Sequence, residues 1–269
     1  MKNYANAMAI AALLASAALG DDTALQSQPL SRLSYILEQA DKTRIVINQP
    51  DKARVTLQRR GQPVLRITNP LFNGQADGAL LLWLDDQMPI VAASYTIRRN
   101  KELYREFSSL TELPVRASHA GTVVWTPPTG CFSRQPLPGE SQPADNERLR
   151  LTQMKRAAER FSSKETRLLP TPLYRYVSKK YAVVDGAIFA LVRANDPEVL
   201  ILIEATRQES DALSWRYTLG RMNSFPWSVR LDDREICSLE GYWKNPKATS
   251  PYVEQQAGSL PSEIIHQTP

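Results

Sequence analysis

The sequence predicts an α+β protein built as two tandem copies of one unit, a helix packed on a curled antiparallel β-meander. Three observations predict it. Each half opens with a short amphipathic helix. Near-continuous apolar runs follow in pairs separated by turn residues. The same short motifs then recur in the same order on both sides of a proline-rich stretch. The expected layout is a leader over 1–20, a first repeat over 21–125, a linker over 126–146, a second repeat over 147–243 and a disordered tail over 244–269.

The first element lies outside the fold. Lys2 precedes an apolar stretch from Ala7 to Leu19, Ala18-Leu19-Gly20 offers small residues for cleavage, and Asp21-Asp22 opens the mature chain. This is the pattern of a secretory signal peptide, and the apolar run is shorter than the ~18 residues a spanning helix needs. Export is therefore expected, to a periplasmic or extracellular location, with membrane contact only through the leader before cleavage. Without Lys2 the chain carries 32 basic and 28 acidic residues, a charge of +4, with no long Lys/Arg block. A nucleic-acid partner is not expected, because that footprint needs basic residues gathered on one face.

Each helix has its apolar positions at spacings of 3, 4 and 3. Leu30, Leu33, Leu37 and Ala40 form the first stripe, after Pro29; Leu151, Met154, Ala158 and Phe161 form the second, after a cap at Asp145 or Asn146. Past the helices, Pro63-Val64-Leu65-Arg66-Ile67 matches Pro172-Leu173-Tyr174-Arg175-Tyr176, and Asp77-Gly78-Ala79-Leu80 matches Asp185-Gly186-Ala187-Ile188. Val115-Arg116 is aligned with Val229-Arg230, and Val124-Trp125 with Ile236-Cys237. The first copy holds extra residues, among them Arg54-Val55-Thr56-Leu57, read as an added strand.

Hairpins are expected where Leu80–Leu84 and Ile90–Ala93 flank Asp85-Asp86-Gln87, and where Ile188–Val192 and Val199–Ile203 flank Asn195-Asp196-Pro197. Because these runs do not alternate, both sheet faces should be covered. The stretches near Tyr104 and Trp215 alternate and read as half-exposed strands. The linker, with Pro127, Pro128, Pro136, Pro138 and Pro143, resists regular structure.

The pieces Leu168-Leu169-Pro170-Thr171-Pro172-Leu173-Tyr174-Arg175-Tyr176, Asp185-Gly186-Ala187-Ile188-Phe189-Ala190 and Val64-Leu65-Arg66-Ile67-Thr68-Asn69-Pro70 resemble an uncharacterised family of exported proteins from planctomycete bacteria. The likeness covers most of residues 30–240. It departs at Cys237, where the counterpart of Trp125 would be a Trp. The family has no assigned activity, so the resemblance implies a lineage and no chemistry.

Specific catalytic motifs are missing. There is no G-x-S-x-G elbow, no Gly-rich phosphate loop and no CxxC or HxxxH spacing, so no metal or cofactor is expected. Cys131 and Cys237 are either one disulfide or buried thiols. His119 reads as a hairpin-turn histidine, and His266 falls in the tail. Asp77 and Asp185 read as Asp-Gly turns paired with Arg66 and Arg175; Glu204 and Glu106 read as strand charges reaching solvent.

Aromatic residues concentrate in the second copy: Tyr174, Tyr176, Trp215, Tyr217, Phe225, Trp227 and Trp243. The expectation is a non-catalytic binding module for an envelope protein or polymer. Its ligand-binding face would be Trp215, Arg216, Tyr217 and Trp227. The competing expectation is an exported hydrolase acting through Asp77, Asp185 or Glu204.

Overall fold

The computed structural model of the protein describes residues 22–48, 53–69, 76–98, 101–127, 134–261 and 264. The expected leader, Cys131 and His266 lie outside them.

The first half begins with helix α1 (Asp22–Asp41), then β1 (Thr43–Ile47), the short β2 (Val55–Thr56) and β3 (Gln58–Arg59), and β4 (Leu65–Asn69). The hairpin β5 (Ala76–Asp85) and β6 (Met88–Ile97) follows, then β7 (Glu102–Ser109) and a second hairpin, β8 (Val115–His119) and β9 (Thr122–Trp125). β10 (Gln135–Pro136) lies in the stretch expected to be a linker. The second half runs through α2 (Glu147–Glu159), β11 (Phe161–Ser162), β12 (Arg167–Leu168), β13 (Tyr174–Ser178), the hairpin β14 (Val183–Arg193) and β15 (Asp196–Arg207), and β16 (Leu213–Arg221). It ends with the hairpin β17 (Trp227–Leu231) and β18 (Arg234–Leu239), a 3₁₀ turn at Tyr242–Lys244, and β19 (Tyr252–Ser259).

The predicted α+β class is corrected. Strands account for 52% of the residues and helix for 13%, and the strands form several antiparallel sheets rather than two helix-covered meanders. The meander fails for a local reason. After β7 the chain leaves the large sheet, and β8 and β9 instead join β1 and β2 in a separate sheet ordered β2-β1-β8-β9. The large first-half sheet is ordered β19-β7-β6-β5-β3, with β4 also on β5, so its edge is closed by a strand from the far end of the chain. That strand lies inside the stretch expected to be a disordered tail. The second half has β10-β16-β15-β14-β12, with β13 on β14, and a small sheet β11-β17-β18.

The two large ladders pair alike. Arg66 faces Ala79 and Ile67 faces Gly78 across β4 and β5; Arg175 faces Ala187 and Tyr176 faces Gly186 across β13 and β14. Each central hairpin has a register shift in the same place, after Trp83 in one and after Leu191 in the other, and the second has a further shift between Val183 and Asp185. Each small hairpin does as well, after Ala117 and after Val229. Thr43 faces His119 where Phe161 faces Leu231, so Val115 corresponds to Trp227, two residues from the match read in the sequence.

Helix registry shifts too. The fully buried pairs are Ile36 with Ala40 and Met154 with Ala158, which makes Arg32 the counterpart of Arg150. Asn146 caps α2, its Oδ1 accepting from the Arg148 N–H at 2.8 Å and the Leu149 N–H at 3.4 Å.

Strand alternation explains the unbroken apolar runs. On β14 and β15, Phe189, Leu191, Ile201 and Ile203 face α2 in one core, with Trp215, Tyr217 and Trp227. Ile188, Ala190, Leu200 and Leu202 face the other way, into a core that contains Trp83, Phe107 and Trp125 of the first half. Burying both faces of a strand removes the polar alternation that would mark a solvent side. No helix among the described residues is long and apolar enough to cross a membrane.

Candidate functional site

The residues expected to form the recognition face do not form one. Trp215, Tyr217 and Trp227 are 5%, 8% and 4% exposed and sit in the core beneath α2. Trp215 Nε1 donates to the Ser141 carbonyl at 3.0 Å, and the Tyr217 ring meets Phe161 edge-on. Only Arg216 of the four is half-buried rather than buried, lying opposite Glu204 on β15. An aromatic row on one strand face looks the same in sequence whether a ligand or a helix covers it. Here the helix does.

The expected catalytic acids are also committed elsewhere, and they do not meet. Asp185 accepts from Arg150 Nε at 3.0 Å and from Arg175 Nη2 at 2.7 Å and Nε at 2.9 Å. Asp77 pairs with Arg66, and burial raises its carboxyl pKa against the pull of Arg66 and Arg32. Both Asp-Gly pairs lie within strands, not at turns. Gly186 is needed there because a Cβ would come within 2.6 Å of the Tyr176 ring. Glu204 is fully buried; its Oε1 accepts from Tyr176 Oη at 2.7 Å. Arg134 Nε stands 2.9 Å from its Oε2, an ion pair whose angle falls outside hydrogen-bond geometry. Burial raises the Glu204 pKa, opposed by Arg134 and Tyr176. His119 Nδ1 lies 3.0 Å from Thr43 Oγ1, itself 2.7 Å from Tyr95 Oη, and burial and the nearby Arg105 and Lys42 hold its pKa down. Cys237 is a free thiol whose pKa is raised by burial.

Two other places at the junction of the halves hold unusual chemistry. The first is a cavity of about 160 Å³. Met88, Ile90, Leu110 and Leu113 give it an apolar lining, and Glu112, Arg134 and Tyr181 supply its polar groups. Arg134 is fixed by the Glu204 ion pair, and its backbone N–H donates to Glu112 Oε1 at 3.2 Å. Tyr181 Oη donates to Asp85 Oδ2 at 2.6 Å, and Lys180 Nζ lies 2.5 Å from the same oxygen. The β5–β6 turn is thus clamped by the second half; Ser178 Oγ also donates to Asp86 at 2.9 Å. The Lys180 N–H and Ser178 hydroxyl together lower the Asp86 pKa.

The second place is a gathering of carboxylates. Glu106 on β7 and Glu254 on β19 are direct cross-strand partners. Asp196, at the start of β15, interacts with both from the second half, and Glu198 lies beside Asp196. Desolvation, then Asp196 and Glu254, push Glu106 well above the usual carboxylate range. Desolvation raises Asp196 to about 6, and desolvation together with Asp196 raises Glu198 to about 7. No group of three such residues among those described has the geometry of a metal site.

These two places are counterparts. In the repeated ladder, Ser94 faces Glu106 as Leu202 faces Thr218, so Glu106 corresponds to Thr218. The same pairings set Asp196 against Met88 and Glu198 against Ile90. Extending β10 by one residue puts Arg134 opposite Thr218, as Glu254 is opposite Glu106. This cluster is not legible in the sequence, since its four acids come from three distant segments and each reads alone as a surface charge.

No family model, no curated protein and no solved structure matches the chain.

Proposed function

We propose that the protein is an exported, non-catalytic binding module that docks an envelope polypeptide by accepting one apolar side chain in the cavity between its halves. The cavity is the observation that carries this reading. Its 160 Å³ is well below the ~300–1,000 Å³ of pockets that enclose a small organic ligand. It suits a Leu- or Met-sized anchor, the kind of buried peg that dominates binding energy in protein interfaces. Met88 and Leu110 supply contact for the anchor, and Glu112 and Arg134 supply polar groups for the partner's backbone at the rim. A duplicated ancestry fits this reading, because the cavity lies where two like units meet and lacks the acids that stand at the corresponding positions on the other side.

The test is selection from a random peptide library displayed on phage. Enriched peptides should share one large aliphatic position. Their binding should fall at least tenfold on Thr111→Phe, which adds bulk at a residue lining the cavity, while the melting temperature stays within about 2 °C. Peptides that bind Thr111→Phe as well as the parent would sink the reading.

A further inference from the structure

The carboxylate cluster lies under β19, and its composition makes that strand conditional. From β7 comes Glu106, whose Oε2 accepts from Ser94 Oγ of β6 at 3.0 Å. From β19 come Glu254, ion-paired with Arg98, and Tyr252, whose ring lies under Arg221 of β16 at 5.2 Å. From the β14–β15 hairpin come Asp196, Glu198 and Arg193, the last 3.7 Å from Glu198 and 3.4 Å from Glu165. Tyr242 faces Glu254 from the 3₁₀ turn, and Cys237 of β18 faces Arg221.

Four carboxylates therefore meet three guanidiniums, Arg98, Arg193 and Arg221, one of which is shared with Glu165. Two of the acids are direct neighbours across a ladder, where like charges oppose pairing. A polar atom is also left over: Glu254 is only 2% exposed, yet its Oε2 has no hydrogen-bond partner. A buried carboxylate oxygen without a donor is costly to hold directly across from a second carboxylate.

We propose that β19 is a pH-responsive strap: it lies closed on β7 while Glu106, Asp196 and Glu198 hold protons beside Glu254, and it is released from the sheet edge as those three ionise. Release exposes the β7 edge, an open template for another strand. The direction follows from linkage. Acids that bind protons more tightly in the closed state favour closure at low pH, and closure weakens as pH rises toward their closed-state values. Asp196 at about 6 and Glu198 at about 7 set the upper end of that window, and ordinary carboxylate values near 4 set the lower. The second half has no such device, because Arg134 and Thr218 occupy the positions of Glu254 and Glu106.

Amide hydrogen exchange on the full chain tests this, with rates corrected to protection factors. Between pH 4.5 and 7.5 the protection of residues 253–257 should fall by about 10- to 100-fold, while that of residues 199–203 holds. Glu106→Gln, which removes one charge and keeps the shape, should retain the low-pH protection at pH 7.5. Asp196→Asn should do the same and serves if Glu106→Gln does not fold. A strap whose protection is independent of pH in the parent, or one that loosens equally in the parent and a folded variant, would overturn the proposal.

Discussion

The cavity and the carboxylate cluster occupy corresponding positions in two halves that pair their strands alike, yet one holds Met88, Ile90, Thr218 and Arg134 where the other holds Asp196, Glu198, Glu106 and Glu254. The backbone ladder is indifferent to this exchange, because hydrogen bonds between strands do not depend on which side chain stands above them. The chemistry at the junction is not indifferent. One side packs and leaves a small hole; the other concentrates charge that its arginines do not fully balance. Two halves with matching ladders can therefore hold two different chemistries at the place where they meet.

The sharpest way to break the comparison is through the buried aspartates that look most alike. Asp185 satisfies two arginines and Asp77 pairs with one. Asp185→Ala leaves Arg150 and Arg175 without their carboxylate and should cost about 3–5 kcal/mol in urea unfolding. Asp77→Ala should cost about 1–3 kcal/mol, since Arg66 is already a third exposed. Equal costs would mean that the helix arginine Arg150 contributes nothing beyond what Arg32 does.

Exchanging one position between the sites comes next. Asp196→Met should stabilise the protein at pH 8 by about 1–2 kcal/mol, by replacing a crowded, half-buried charge with packing, and should do little at pH 5. Met88→Asp should destabilise it by about 1–3 kcal/mol at pH 8. Denaturation curves for both variants at the two pH values would show whether the asymmetry is energetic or incidental.

The smallest effect concerns Cys237, which stands where the first half has Trp125, stacked on Phe107 with its Nε1 donating to the Ser250 carbonyl at 2.8 Å. With its pKa raised by burial, the Cys237 thiol should react several-fold more slowly with iodoacetamide at pH 7.5 than a free thiol. Reaction at the free-thiol rate would show that the small second-half sheet opens readily.

Parts of this arrangement were legible in the sequence. Arg66 with Asp77, and Arg175 with Asp185, were matched by spacing alone, and the ladders put them at the same positions. The helix match was out by three residues, since a stripe with spacings of 3, 4 and 3 reads equally well one turn along. Burial of Ile36 and Met154 resolves it. β19 was invisible because its two large apolar residues, Tyr252 and Val253, sit beside Pro, Ser and Gln, and its third buried residue is Glu254. Trp215 and Tyr217 misled for the opposite reason, as alternation records that one face is covered without recording what covers it.

The pairing of β19 with β7 also constrains the order in which the molecule can be made. β7 ends at Ser109, and its outer partner begins at Tyr252. As the chain is synthesised, the first half emerges with its sheet incomplete and must wait for nearly all of the second half before the edge can close. Contacts so far apart in sequence slow folding and lengthen the exposure of an unpaired strand. A fragment ending before residue 252 should therefore self-associate through β7, and the full-length chain should acquire protection at β7 last.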